Sequence, residues 1–147
     1  MRRRKTDLIA RVNGNLQLEF GNIALTSYAG LELFGRYLRA MRFNQLIRET
    51  FAGTAGWTDY GVVAMVRLLI GLIVVGGRRL RHLAYLERDP LFHRFCGLRQ
   101  LPTARTVSRW LKQFTMQTVG RLQVLNAAVI ERVLPGLALR TLTIDVD

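Results

Sequence analysis

Two aspartates, Asp145 and Asp147, close the segment Thr141–Asp147, in which apolar and polar side chains alternate. Alternate residues of an extended strand share a face, so the two carboxylates would lie on one side, about 7 Å apart at a rise of about 3.3 Å per residue. Carboxylates at the end of an apolar-backed strand are suited to binding the divalent metal ions that assist phosphoryl transfer. The alternative is an edge strand that carries two solvated surface aspartates.

A second candidate site is the strongly basic segment from residue 78 to residue 112. Nine Lys and Arg residues are opposed there only by Glu87 and Asp89, which gives a local charge of +7. Arginine predominates, and its planar guanidinium suits phosphate oxygens and guanine edges better than the point charge of lysine does. The composition therefore predicts contact with DNA. The nine residues are Arg78, Arg79, Arg81, Arg88, Arg94, Arg99, Arg105, Arg109 and Lys112.

Within this segment, residues 101–111 have the pattern of a DNA-recognition helix. Pro102 is typical of a helix start, and Thr103 can cap the helix. A helix-turn-helix places small and basic side chains at the front of its second helix, although the usual tight turn is not evident ahead of this one. The alternative is a solvated arginine-rich face. The side chains expected to contact DNA are Arg78, Arg79, Arg81, Arg105, Ser108, Arg109 and Lys112.

The elements that must position these residues are mainly helices. Thr58 and Asp59 can cap an apolar helix that Gly76 and Gly77 would end. Apolar residues recur at helical spacing from residue 27 to residue 51, which predicts two helices or one kinked helix. Helices are expected at 27–51, 58–75, 80–86, 91–95, 102–114 and 119–134, and strands at 16–20 and 141–147.

The expected fold class is therefore mainly α, with a basic helical region that leads into one β-strand. Residues 1–26 are expected to form a basic start with a short strand and turn. Residues 27–138 would form the helical DNA-binding region, and residues 139–147 the strand that carries the two aspartates.

Composition and charge limit the possible classes of protein. The chain has 147 residues, half of them hydrophobic, which is enough for one domain with a core. Twenty-two Lys and Arg residues against 10 Asp and Glu give a net charge of +12, which favours a polyanionic partner. Cys96 is the single cysteine, so an intramolecular disulfide and a thiolate metal site are excluded. These features predict a reduced, cytoplasmic and nucleoid-associated setting.

No feature of the sequence predicts secretion or insertion into a membrane. The basic residues 2–5 are not followed by an uninterrupted apolar core, so they do not form a signal peptide. The most apolar segment, Val62–Val75, is shorter than the roughly 20 residues that span a bilayer, and it carries Arg67. We expect a buried helix there. His82 and His93 have no carboxylate or cysteine at ligand spacing, so we expect surface or packing roles for them.

The order and spacing of five segments within residues 31–147 are informative. The segments are Arg67–Ile73, Gly76–Leu83, Asp89–Leu91, Leu101–Arg109 and Thr143–Asp147. In this order and spacing the chain resembles the N-terminal portion of bacterial insertion-sequence transposases of the DDE type, in the group with a long helical region ahead of the catalytic core.

This resemblance implies a catalytic role for the final strand. In the family, the first catalytic aspartate lies on the first strand of a ribonuclease H-like α/β domain, commonly in an Asp-x-Asp-(Ser/Gly)-Thr setting. Asp147 looks like that residue, with Asp145 as the alternate, and either would be a ligand to Mg²⁺ or Mn²⁺ in the full-length relative. The Ser-Thr continuation, the second aspartate and the glutamate are missing from the printed sequence.

The missing residues affect the expected chemistry. The resemblance implies a catalytic domain truncated after its first catalytic residue. Two-metal phosphoryl transfer needs carboxylates from separate elements. We therefore expect this fragment to hold no metal tightly and to neither cleave nor join DNA.

The function expected from the sequence is that of the DNA-binding N-terminal part of a DDE transposase. Its partner would be double-stranded DNA at the terminal inverted repeats of the element, and the chain could form a homo-oligomer. Two alternatives stay open. One is a stand-alone helix-turn-helix-like DNA-binding protein. The other is a helical interaction module, in which apolar helices such as Val62–Val75 serve dimerisation.

Overall fold

The computed structural model describes residues 26–53 and 59–137, and this part of the chain is mainly helical. It contains seven α-helices and two short 3-10 helices, without a β-strand. The predicted strands at 16–20 and 141–147 lie outside the described residues. The helices are α1 (Gly30–Ala40), α2 (Phe43–Thr50), α3 (Val62–Val74), α4 (Leu83–Leu86), α5 (Pro90–Cys96), α6 (Ala104–Leu111) and α7 (Met116–Val133), with 3-10 turns at Leu80–His82 and Leu134–Leu137.

The first two helices are separate, which decides between the two possibilities that the spacing left open. Arg42 has a φ of 53°, in the left-handed region, and it changes the direction of the chain between α1 and α2. Leu31 and Leu38 of α1 are buried, as are Leu46 and Ile47 of α2. Both helices therefore contribute an apolar face to one core.

Helix α3 is the centre of that core, and its end was predicted better than its start. The amide of Gly77 donates to Leu72 O and that of Gly76 to Ile73 O, so the two glycines end the helix in a Schellman motif. The predicted cap by Asp59 is wrong, because Gly61 has a φ of 74° and the helix begins only after it. Thr58 lies outside the described residues.

Close backbone packing joins α3 to α5. A Cβ built on Gly71 would lie 2.9 Å from Phe95 Cε1 and 3.0 Å from Phe92 Cε2. Phe92 and Phe95 are almost fully buried, so these rings fill the space that the glycine leaves. Asp89 fixes the start of α5, because its side chain accepts a hydrogen bond from the amide of Phe92 at 2.8 Å and Pro90 follows it.

The last two helices have caps made by threonine. Thr103 caps α6, and Pro102 lies before the cap rather than inside the helix, which ends at Leu111 and not at Phe114. Thr115 and Thr118 form a capping box, so α7 begins at Met116, ahead of the predicted start at residue 119.

Helix α7 packs on α2, and two of its arginines bind the ends of α1 and α2. Arg121 Nη1 donates to Ala52 O at 3.0 Å, and Arg132 Nη1 donates to Met41 O. These two cations therefore have structural acceptors on the chain itself.

The expectation of a buried helix at Val62–Val75 is confirmed. Seven residues of α3 are buried, among them Met65, Leu68 and Leu72. Within residues 26–53 and 59–137, no helix combines the length and the apolar character that crossing a bilayer requires.

Candidate nucleic-acid interface and an arginine-lined cavity

The basic residues of α6 form one continuous stripe. Arg105, Ser108, Arg109 and Lys112 follow each other at intervals of three, one and three residues, which places them on the same face of a helix. The three cationic side chains are exposed and Ser108 is half-buried. Val107 and Trp110, on the other side, have relative exposures of 0% and 1%. Burial of this apolar side orients the basic side toward solvent.

The start of α6 is fixed by hydroxyl groups. Thr103 Oγ1 accepts a hydrogen bond from the amide of Thr106 at 3.2 Å and lies 3.0 Å from Thr106 Oγ1. An N-cap of this kind satisfies one of the amides that have no intrahelical acceptor. The stripe therefore begins on a well-defined first turn.

The structure brings the segment 78–81 to the same region. The 3-10 turn Leu80–His82 contacts α6. Arg81 lines a groove of about 190 Å³ together with Thr103 and Ala104, and Glu87 also lines this groove. Arg78 and Arg79 precede the turn and are exposed. The seven residues that the sequence predicts for DNA contact are thus distributed over α6 and the segment that packs against it.

The connection ahead of α6 differs from that of a helix-turn-helix. Residues 97–103 join α5 to α6, which is longer than the turn of three to four residues that usually joins the two helices. Gly97, with a φ of 74°, ends α5 in the left-handed conformation. The described residues thus place a basic helix at the surface without the usual tight turn.

A second basic site was not predicted from the sequence. Arg48 of α2, Arg67 of α3 and Arg94 of α5 line one cavity of about 440 Å³. Asn44 and Tyr60 also line it, as do the first residues of α3. Only Arg94 belongs to the predicted basic segment, and it faces this cavity rather than the α6 stripe. The single cation in the apolar segment 62–75 was the only local signal for this site.

Arg67 is the buried arginine of this cavity, with a relative exposure of 8%. Its Nη1 donates to Asn44 Oδ1 at 3.2 Å, and its Cζ lies 4.7 Å from the centroid of the Phe95 ring. Its Nε has no acceptor among the residues that the structure describes. In residues 26–53 and 59–137, no carboxylate lies within ion-pair distance of it, since the recorded pairs join Glu32 to Arg36 and Arg39.

Burial affects the ionisation of the groups around this cavity. It lowers the pKa of the Arg67 guanidinium, because the charged form loses hydration. Burial also raises the pKa of the Cys96 thiol, from an ordinary 9.0 to about 12, although the neighbouring charge of Arg67 acts in the opposite direction. Cys96 is therefore a neutral thiol at physiological pH.

Both histidines contact backbone groups. His93 Nε2 lies 2.7 Å from Glu87 O, and its Nδ1 lies 3.1 Å from Arg99 O, so the ring connects the two ends of the α5 region. His82 Nδ1 accepts from the amide of Arg78 at 3.3 Å. No group of three metal-ligating side chains occurs in the part of the chain that the structure describes.

Asp145 and Asp147 lie outside the described residues. Their assignment as catalytic residues and metal ligands therefore stays a prediction. Comparison of the chain with protein-family models, with curated proteins and with solved structures finds no significant match in any of the three.

Proposed function

We propose that the chain binds double-stranded DNA through the α6 stripe and the adjoining segment 78–81, as the N-terminal part of a DDE-type transposase. The observation that carries the DNA-binding proposal is the stripe itself. Arg105, Arg109 and Lys112 are exposed on one face of a helix whose opposite face is anchored by Trp110. In the described residues, none of these three cations is in a recorded ion pair.

The dimensions of α6 suit the major groove. An α-helix with its side chains is about 10–12 Å across, and the groove is about 12 Å wide. Arg105 and Arg109, on the exposed face of α6, would contact phosphates at the edges of the groove. The neighbouring segment, with Arg78, Arg79 and Arg81, would contact phosphates beside the groove. Such contacts fix the orientation of the protein on the duplex but do not read the base sequence.

The transposase part of the proposal rests on the order of the five sequence segments. Under this proposal, Asp147, or alternatively Asp145, supplies a carboxylate ligand to Mg²⁺ or Mn²⁺ in the complete enzyme. The DNA recognised would be the terminal inverted repeats of the element. A stand-alone DNA-binding protein would use the same α6 stripe without this preference.

The structure gives less support to the interaction module. The apolar residues of α3 that would serve dimerisation, among them Met65, Leu68 and Leu72, are buried in the core of the chain itself. Ile73 and Val74 are the exposed large apolar residues of this helix.

The dependence of DNA binding on salt tests the proposed interface. Affinity for a labelled duplex, measured by fluorescence anisotropy, should fall steeply between 50 and 200 mM salt. In a plot of log affinity against log salt concentration, each phosphate contact that is removed should make the slope shallower by about 0.9. Arg105→Ala with Arg109→Ala should therefore flatten the slope by about 2. The matched control is Arg36→Ala with Arg39→Ala, which removes the same charge from α1. Equal effects of the two double variants would refute the α6 interface.

Selection from a random duplex pool separates the transposase from the general DNA-binding protein. Enrichment of a sequence that recurs as inverted repeats around the coding sequence supports the transposase. Enrichment of an unrelated sequence would contradict it while leaving the DNA interface intact.

A further inference from the structure

We infer that the cavity between α2, α3 and α5 is a binding site for a small phosphate-bearing molecule, held by Arg48, Arg67 and Arg94. The inference is independent of the proposed DNA interface, since none of these arginines belongs to the α6 stripe or to the segment 78–81.

The first reason is the unbalanced charge of Arg67. Burial of a guanidinium is costly unless an acceptor compensates it. Arg67 is 8% exposed and donates to the neutral amide of Asn44, and the described residues offer no acceptor to its Nε. Glu32 lines an adjoining cleft with Arg67, but its Oε1 accepts from Arg36 Nε at 3.0 Å and from Arg39 Nη2 at 3.5 Å. An anion in the cavity would supply the missing counter-charge.

The second reason is the start of α3. The first amides of a helix have no intrahelical acceptor and carry a partial positive charge. Gly61 supplies no capping side chain, and residues 61–64 line the cavity. Helix α3 thus begins at the same cavity that Arg48, Arg67 and Arg94 line, and the start of a helix is a favourable place for phosphate.

The charge and the size of the cavity favour a phosphate ester over a carboxylate. Three guanidinium groups match a dianion better than a monoanion. The volume of about 440 Å³ lies within the range of small-molecule sites, and Tyr60, Val62 and Val63 add partly apolar walls for an organic group.

Duplex DNA is a poor occupant of this cavity. Arg67 is only 8% exposed and lies below the surface, where a small anion can reach it more easily than the phosphates of a convex duplex backbone can. The cavity also lies at the start of α3, whereas Arg78 follows the end of that helix. The 13 residues of α3 separate the two ends by about 20 Å.

Calorimetric titration of the whole chain with inorganic phosphate, in a phosphate-free buffer, tests the inference. Phosphate should bind at least tenfold more tightly than acetate at the same ionic strength. Arg67→Met should weaken phosphate binding at least tenfold. Arg48→Gln and Arg94→Gln, which change exposed side chains and leave the core intact, should each weaken it three- to tenfold. Arg88→Gln is the matched control, an exposed arginine outside the cavity, and should change the affinity less than twofold.

Three outcomes would overturn the inference. The first is equal affinity for phosphate and acetate. The second is an equal loss in Arg88→Gln and the cavity variants, which would indicate attraction by net charge alone. The third is displacement of bound phosphate by a duplex, because the site would then be part of a DNA interface. Retained phosphate binding in the presence of saturating duplex supports two separate sites.

Discussion

The guanidinium of Arg67 lies over the ring of Phe95, with Cζ 4.7 Å from the ring centroid. Phe95 also stacks with Phe34, at a centroid distance of 5.8 Å and an interplanar angle of 19°. The buried cation is therefore positioned by an aromatic pair that joins α1 to α5. This contact lets the apolar core hold a charged group at the wall of the cavity, since the face of an aromatic ring attracts cations.

A double-mutant cycle should detect this contact as an energetic coupling. Arg67→Met and Phe95→Leu, measured singly and together by urea denaturation, should be coupled by about 0.5–2 kcal/mol in the free energy of unfolding. The control pairs Arg67→Met with Leu125→Ala, in α7, where we expect coupling within about 0.5 kcal/mol. Additive effects of the first pair would contradict an attractive interaction between Arg67 and Phe95.

Gly71 should be intolerant of a methyl group, whereas Gly120 should accept one. A Cβ at Gly71 would lie within 3.0 Å of two buried rings, so Gly71→Ala should lower the free energy of unfolding by about 1–3 kcal/mol. A Cβ at Gly120 in α7 would have no neighbour within 4 Å. Gly120→Ala should therefore raise stability by about 0.5–1 kcal/mol through helix propensity. A similar effect of both substitutions on the denaturation midpoint would rule out close packing of α3 on α5.

Local sequence patterns predicted the structural features that depend on residues only a few positions apart in the chain. The end of α3 at Gly76, the cap at Thr103 and the exposed stripe of α6 follow from residue types at fixed spacing. The start of α3 was predicted too early because the left-handed φ of Gly61 has no signature beyond glycine itself. Phe114 continues the apolar pattern of α6 beyond its end and packs on Trp110, at 4.7 Å between ring centroids, from outside the helix.

The arginine-lined cavity could not be predicted in the same way. Arg48, Arg67 and Arg94 are 19 and 27 residues apart in sequence, and only the packing of α2, α3 and α5 brings them together. In the sequence, Arg67 indicates mainly that α3 is no membrane span. Its burial, with no carboxylate partner among residues 26–53 and 59–137, became visible only once its neighbours were placed.

Substitutions at Thr103 should separate the stability of α6 from its binding to DNA. Thr103→Ala removes the cap and should cost about 1 kcal/mol in the free energy of unfolding, and Thr103→Ser should restore it. Thr103→Asp should also restore the cap, but its carboxylate would lie beside the proposed phosphate contacts. We expect the Asp variant to match the Ser variant in thermal stability. In DNA affinity, measured by anisotropy at low salt, the Asp variant should fall below the Ala variant. Equal DNA affinity of the Asp and Ser variants would place the phosphates away from the start of α6.

Cys96 should make the stability of the chain depend on alkaline pH. Its thiol has a pKa of about 12 in the folded chain against an ordinary 9.0, so above pH 9 the unfolded chain loses a proton that the folded chain retains. The free energy of unfolding should therefore fall as the pH rises from about 9 toward 12, by up to about 1.4 kcal/mol per pH unit from this group.

The comparison with Cys96→Ala isolates this contribution, because the variant lacks the thiol. Urea denaturation of the two chains at pH 8, 9 and 10 should show that the wild-type chain loses more stability than the variant only above pH 9. Labelling with a thiol reagent gives a second measure, since the nucleophile is the thiolate. We expect slow labelling at pH 9 in the native state and fast labelling in urea. Equal rates in the two states would mean that Cys96 is exposed and ionised, which would contradict its burial in the core.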